Sequence, residues 1–252
     1  MKKKIFLCDL TYDTIILVSD TIPINIGFIG SYLLKHLKDE VEIELFKYPN
    51  NAIEKIKKEK PDVVALSNYS WNSNLSDFVS KIALEANPNC ITVQGGTNFP
   101  HDKTQQEFFL KQKKYVDIYT LLEGEKSFLN IIKKIISVNG DKSKMFDDPI
   151  DGCVFIHPIT KKFTSGKYLD RINDLDEIPS PYLNGMLDKF FDGMLTPFIE
   201  TNRGCPFTCS FCHTGNDYFH KLKKFSADRL KDEIDEIEYI GKRCHQLGIT
   251  NL

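Results

Sequence analysis

Apolar and polar positions change rhythm repeatedly over the first 138 residues. Ile5-Phe6-Leu7-Cys8 is a short unbroken apolar run, the pattern of a strand buried on both faces. After Asn25, a candidate helix cap, Ile26, Ile29, Leu33, Leu34 and Leu37 keep helical spacing. Val41–Phe46 alternates and predicts a strand. A short Lys/Glu-rich helix is expected near Ala52–Glu59, and Val63-Val64-Ala65-Leu66 predicts the next strand. Leu75, Phe78, Val79, Ile82, Ala83 and Ala86 form one helical stripe. Ile91-Thr92-Val93 is a fourth strand ended by Gly95-Gly96, and Val116–Leu121 is a fifth. Phe128, Leu129, Ile132, Ile135 and Ile136 predict a last helix after Gly124.

Strands alternating with helices imply an α/β fold. Residues 1–138 are expected to form a Rossmann-like domain around a five-stranded parallel sheet. Ligands of such sheets bind beyond the carboxyl ends of the strands, so the loops after Leu7, Leu66, Val93 and Leu122 form the candidate edge. From Asn139 the texture changes to a linker, residues 139–196, with a small hairpin over Gly152–Phe163 that turns near Pro158–Lys161. A third region, 197–252, predicts a strand at Phe198-Ile199-Glu200-Thr201 and then a cysteine loop. A helix from about Ala227 to Gln246 follows, capped by Ser226, with Leu230, Ile234, Ile237 and Cys244 on or near one face. Another strand is expected to begin over Gly248–Leu252. A strand, a helix and half a strand cannot close a core, so the third region is expected to be the start of a larger domain.

Composition narrows the function. Hydrophobic residues make up 41% and charged residues 27%, as in an ordinary globular protein. A formal net charge of −2 leaves no basic excess to neutralise phosphates, so no nucleic-acid partner is expected. No run of 18 apolar residues exists to span a membrane, and Asp9, Tyr12 and Asp13 break any signal-peptide core. The chain is expected in the cytoplasm. There, seven cysteines with three of them between positions 205 and 212 favour metal ligation over disulfides.

Those three read Arg203-Gly204-Cys205-Pro206-Phe207-Thr208-Cys209-Ser210-Phe211-Cys212-His213. Three thiolates on one loop can hold three irons of a cubane and leave the fourth iron open for a small chelating ligand. The competing reading is a structural zinc site completed by His213, His220 or Cys244. The second Cys-x-x-Cys knuckle or spaced His pair that such a site usually carries is absent. Cys8, Cys90, Cys153 and Cys244 suit small buried hydrophobes. His36, His101, His157 and His245 lack ligand spacing.

The Cys205-x-x-x-Cys209-x-Phe211-Cys212 pattern resembles the radical S-adenosylmethionine superfamily. The resemblance implies a [4Fe-4S] cluster on Cys205, Cys209 and Cys212, with backbone around Phe211 near the adenine of S-adenosylmethionine. It also implies cleavage to a 5′-deoxyadenosyl radical and the beginning of a partial (β/α) barrel. The α/β domain ahead of it resembles the cobalamin-binding domain of one class of that superfamily. Ser67 after the third strand, Gly95-Gly96 after the fourth, Leu122-Glu123-Gly124-Glu125 after the fifth, and Pro23–Leu34 with Gly27, Ser31, Tyr32 and Leu33 carry the match. It implies cobalamin as a cofactor near Ser67, Gly95 and Gly96, a small-molecule or natural-product-like substrate, and a reductant such as flavodoxin or ferredoxin. The Asp-x-His-x-x-Gly motif that supplies a lower cobalt ligand is missing, since no His occurs between Cys8 and Gly30. The expected activity is that of a cobalamin-dependent radical enzyme, a methyltransferase or a ring-rearranging enzyme. The alternatives are a radical enzyme whose first domain no longer binds cobalamin, or a zinc-stabilised binding module. A sharp turn remains the other reading of Gly95-Gly96, and helix capping is the preferred reading of Glu123 and Glu125. Packing is the preferred reading of Trp71.

Overall fold

The computed structural model describes residues 2–14, 17–215, 217–231 and 235–249. It divides into two compact units: residues up to Ser19 together with His36–Leu169, and Asp20–Lys35 together with the chain from Asp170 on.

The first unit is built on a sheet. Strands β1 (Lys3–Cys8), β2 (Val41–Phe46), β3 (Val63–Ser67), β4 (Ile91–Gly95) and β5 (Ile118–Thr120) run parallel in the order β2-β1-β3-β4-β5. The apolar runs lie where they were expected because central parallel strands are covered on both faces. Ile5, Cys8, Val63 and Val64 have no exposed surface. The hairpin strands β6 (Cys153–Ile156) and β7 (Phe163–Ser165) continue the sheet antiparallel from β5. Their turn places Lys161 at φ 57°.

Helices α1 (Ile24–Leu37), α2 (Pro49–Glu59), α3 (Ser73–Ala86), α4 (Lys103–Gln112) and α5 (Gly124–Ser137) follow the first five strands in turn. The pattern of apolar positions did not predict α4, yet its cap is explicit: the Gln105 N–H donates to Asp102 Oδ1 at 3.0 Å. In α3 the expected stripe packs on the core through Leu75, Val79, Ile82, Ala83 and Ala86, and only Phe78 departs from it. Phe78 is 54% exposed, while Ser76 and Ser80 are buried and bonded to the sheet edge. Asn25 is the second residue of α1 rather than its cap, and its Oδ1 accepts from the Ile26 N–H at 2.8 Å. Glu123 does occupy the cap position of α5, but its side chain makes no capping bond. No helix of the described residues is long and apolar enough to cross a membrane.

Residues 24–35 of α1 belong to the second unit. Phe28 stacks on Phe225 with ring centroids 5.6 Å apart. A Cβ on Gly27 would lie 2.9 Å from Pro181 Cβ. Ser31 Oγ accepts from Asn184 Nδ2 at 2.8 Å, and Lys35 Nζ donates to the Glu177 carbonyl at 2.6 Å. Gly27 and Ser31, two of the residues from Pro23 to Leu34 that carry the resemblance to a cobalamin-binding domain, thus pack on residues 181–187.

The expected strand at 198–201 is displaced to β8 (Asn202–Arg203), which pairs antiparallel with β9 (Lys223–Lys224). The long helix expected from Ala227 is interrupted. Helix α6 (Ala227–Lys231) is capped as expected, with the Arg229 N–H donating to Ser226 Oγ at 3.2 Å. Helix α7 (Glu236–Leu247) begins afresh at Asp235, an extended residue that accepts from the Glu238 N–H. Gly248 closes α7 in the left-handed region. Ile234, and all but the first two residues of the strand expected to start at Gly248, lie outside the described residues.

Candidate functional site

Chemistry-bearing residues gather in two places, one in each unit. In the first unit the strand order reverses between β1 and β3, and the carboxyl ends flanking that switch are where such sheets take ligands. Ser67 ends β3 with its hydroxyl 3.4 Å from the Cys8 carbonyl. Tyr69 and Trp71 follow in the same loop with rings stacked 4.5 Å apart at 4°, and Trp71 stays 48% exposed. The expected packing of Trp71 is therefore only half realised.

A buried polar chain holds this loop. Asn98 Nδ2 donates to Asn68 Oδ1 at 2.9 Å, Asn68 Nδ2 donates to Gln94 Oε1, and Gln94 Nε2 donates to Asp77 Oδ1 at 3.0 Å. Lys113 Nζ closes the chain on Asp77 Oδ2 at 2.8 Å. Every donor points toward the Asp77 carboxylate, so its charge orients each amide in turn. Asn68 and Gln94 have no exposed surface. Neither was singled out in the sequence, although a Gln or Asn at the end of an apolar strand is the kind of buried polar group that needs partners.

Gly95 and Gly96 sit at this edge, and close packing accounts for both. A Cβ on Gly95 would fall far inside van der Waals contact with Thr120 Oγ1. One on Gly96, at φ +129°, would lie 2.6 Å from the Asn68 carbonyl oxygen. The loop after β1 is engaged as well: Lys47 Nζ donates to Asp9 Oδ2 at 3.0 Å and to Ser19 Oγ at 3.1 Å.

In the second unit the cysteine loop leaves β8 and returns at β9. Gly204 enters it at φ +100°, with the Lys221 and Phe219 carbonyl oxygens 2.6 and 2.7 Å from where a Cβ would be. The Cys205 N–H donates to the Phe219 carbonyl at 2.9 Å. Further on the chain turns tightly, with the Cys212 N–H on the Cys209 carbonyl at 3.1 Å and the Gly215 N–H on the Cys212 carbonyl at 3.0 Å. Cys209 and Cys212 are exposed and Cys205 is partly so, whereas Cys8, Cys90, Cys153 and Cys244 are buried. Burial pushes the Cys90 thiol up to about 12, while the Thr214 hydroxyl, 3.2 Å from its sulfur, holds the Cys212 thiol below the ordinary thiol range. A lowered thiol and solvent access thus coincide at Cys212. Phe211 is 92% exposed.

The three thiols share one loop without converging. Among the described residues, no group of three or more His, Cys, Asp or Glu is drawn together at metal-binding spacing. The donor chemistry fits an iron–sulfur cluster: three accessible sulfurs on one turn, on backbone closed at its foot. The His213 side chain lies outside what is described.

No family model matches the chain. The cobalamin-dependent radical SAM methyltransferase TokK of Streptomyces tokunonensis is 34% identical over 187 residues, which is 70% of this chain and 25% of TokK. The 2-(S-pantetheinyl)-carbapenam-3-carboxylate methyltransferase of Streptantibioticus cattleyicolor is 32% identical over 181 residues, 69% of this chain and 25% of that protein. The chain therefore spans about a quarter of the length of these curated relatives. The structure of the cobalamin-dependent S-adenosylmethionine radical enzyme OxsB, with aqua-cobalamin and S-adenosylmethionine bound, superposes with a TM-score of 0.69. That match has 19% identity and covers 98% of this chain and 33% of OxsB. The chain is thus homologous to cobalamin-dependent radical S-adenosylmethionine enzymes and shares the fold of that class.

Proposed function

We propose that this chain is part of a cobalamin-dependent radical S-adenosylmethionine enzyme of the methyltransferase kind, acting on a small molecule. The observation that carries the reading is the set of three accessible thiols on one closed loop, in a chain whose other four cysteines are buried. Cys205, Cys209 and Cys212 would hold a [4Fe-4S] cluster, and the backbone around the exposed Phe211 would face the adenine. Ser67, Gly95 and Gly96 would lie under a corrinoid at the sheet edge, with the stacked Tyr69 and Trp71 rings as an apolar wall beside it. When bound, the cluster supplies the electron that cleaves S-adenosylmethionine, and the corrinoid carries the methyl group. The protein's own contribution is positional. The Asp77-anchored chain of amides keeps the loops after β3 and β4 in one conformation, and the glycines let them approach closely. A reductant such as flavodoxin or ferredoxin and a cytoplasmic setting belong to the same proposal.

The test is anaerobic reconstitution with ferrous iron and sulfide, for the parent and for the Cys205→Ala/Cys209→Ala/Cys212→Ala variant. The parent is expected to hold about four irons per chain and the variant none. Zinc in place of iron in the parent, retained after reconstitution, would overturn the reading.

A further inference from the structure

In the second unit, residues 171–178 run beside residues 221–229 at a nearly constant offset. Arg171 Nη1 donates to the Lys221 carbonyl, and Lys223 Nζ donates to Asn173 Oδ1 at 2.7 Å. The Ser226 N–H donates to Asp176 Oδ1 at 3.1 Å, and Arg229 Nη1 donates to the Ile178 carbonyl. This strap follows the chain as it leaves the cysteine loop. Its first residue also reaches the chain that enters the loop, since Arg171 Nη2 donates to the Arg203 carbonyl at 3.1 Å.

A single guanidinium therefore ties both feet of the loop, Arg203 just ahead of Gly204-Cys205 and Lys221 on the return. A Cβ on Gly204 would lie 3.0 Å from the same Nη2, so the charge rests against the residue that precedes the first thiol. Arg171 is 9% exposed and lies over the Tyr218 ring at 5.9 Å, whereas Cys209 and Cys212, on the loop it clasps, are exposed. Burying a permanent cation is costly unless its hydrogen-bond geometry is well satisfied, and the fork spanning two carbonyls supplies that geometry.

We propose that Arg171 is the positioning residue of the cluster loop. Its planar fork fixes the separation of the two feet, and its fixed charge offsets the negative charge gathered when three thiolates bind one cluster. This rests on the reading of Cys205, Cys209 and Cys212 as iron ligands. Lysine cannot replace it, because one ammonium is a point charge without the fork that spans two carbonyls.

The experiment compares the parent with Arg171→Met, Arg171→Lys and Asn173→Ala. All are full chains reconstituted anaerobically with iron and sulfide and checked for parent-like far-UV circular dichroism. Iron loss to EDTA is timed, and the cluster's midpoint potential is taken from a redox titration followed by electron paramagnetic resonance. Arg171→Met is expected to lose iron about tenfold faster or more, as befits two lost hydrogen bonds from a charged donor. Its potential is expected to move to lower values, because a nearby positive charge favours the reduced cluster. Arg171→Lys is expected to lose iron quickly while keeping a potential near the parent's. Asn173→Ala is expected to stay within about threefold of the parent, as for an exposed polar contact. Should Arg171→Met fail to fold, Arg171→Lys against the parent decides the matter through its iron-loss rate and potential. Iron retention and potential unchanged in both arginine variants would overturn the proposal. So would faster loss with no shift in Arg171→Met, which a purely structural residue would also give. A parent that binds no iron would instead overturn the ligand reading on which the proposal stands.

Discussion

The glycine pair at the end of β4 can be tested for packing without any cofactor present. Gly95 and Thr120 are direct partners in the parallel β4–β5 ladder. A Cβ on Gly95 would collide with Thr120 Oγ1 but would sit 3.5 Å from Thr120 Cβ, an ordinary contact. Thr120 Oγ1 is not free to swing away, since it donates to the Gln94 carbonyl at 3.4 Å in a site 7% exposed. Overpacking of this kind costs ~1–3 kcal/mol. Replacing glycine within a strand returns roughly 0.5–1 kcal/mol. Gly95→Ala should therefore destabilise by about 1–2 kcal/mol net. Thr120→Ala alone gives up one long hydrogen bond and a methyl group, about 1–2 kcal/mol. In the double variant the collision is gone, so its stability should match that of Thr120→Ala or exceed it. The coupling between the two sites should then be ~1–2 kcal/mol. Urea unfolding followed by far-UV circular dichroism, without corrinoid, measures all three. An unchanged midpoint for Gly95→Ala, or a double variant whose loss equals the sum of the singles, would refute the packing argument. Gly96 offers a contrast. It meets backbone at Asn68 and holds φ +129°, so no partner substitution at Asn68 should rescue Gly96→Ala.

Two other sites give independent checks. Arg229 and Glu236 form a buried pair, with Nε 3.1 Å from Oε1 and side chains 9% and 1% exposed. Glu236→Gln strands the guanidinium and should cost ~3 kcal/mol, raising amide hydrogen exchange across α7 roughly hundredfold; unchanged exchange would contradict it. Glu59 accepts hydrogen bonds from Lys4 and Lys55, which lower its carboxyl from 4.5 to about 2. A carboxyl depressed in the folded state contributes stability that is present above its unfolded value and lost as pH falls toward the folded one. Glu59→Gln should thus be less stable than the parent at neutral pH and lose less on acidification between 4.5 and about 2. Parallel stability–pH curves for the two proteins would rule this out.

The parallel core was legible because strands covered on both faces need unbroken apolar runs, as in Ile5–Cys8 and Val63–Leu66. The cysteine loop was legible from spacing alone. The margin of the buried face of α3 was not. Its apolar stripe packs as its period implies except at Phe78, while Ser76 and Ser80 are buried by bonding the Ser67 carbonyl and the Gln94 amide. Similarly, the stripe of α1 announces a buried face without naming what covers it, and Phe28 finds Phe225 nearly two hundred residues away. The stretch Asp232–Glu238 keeps the polar and apolar rhythm of one helix, so the restart at Asp235 is marked only by a capping aspartate that an unbroken helix would also tolerate. The role of Arg171 depends on a 50-residue offset that no local pattern encodes.

The most direct test of the account is cobalt measured beside iron. Protein purified without oxygen from cells supplied with cobalamin is compared with its Cys205→Ala/Cys209→Ala/Cys212→Ala variant. A corrinoid held at the edge of the sheet and a cluster held by the cysteine loop predict stoichiometric cobalt in both proteins and iron in the parent alone. Iron without cobalt in the parent, persisting when hydroxocobalamin is added in excess, would contradict the cobalamin-dependent reading.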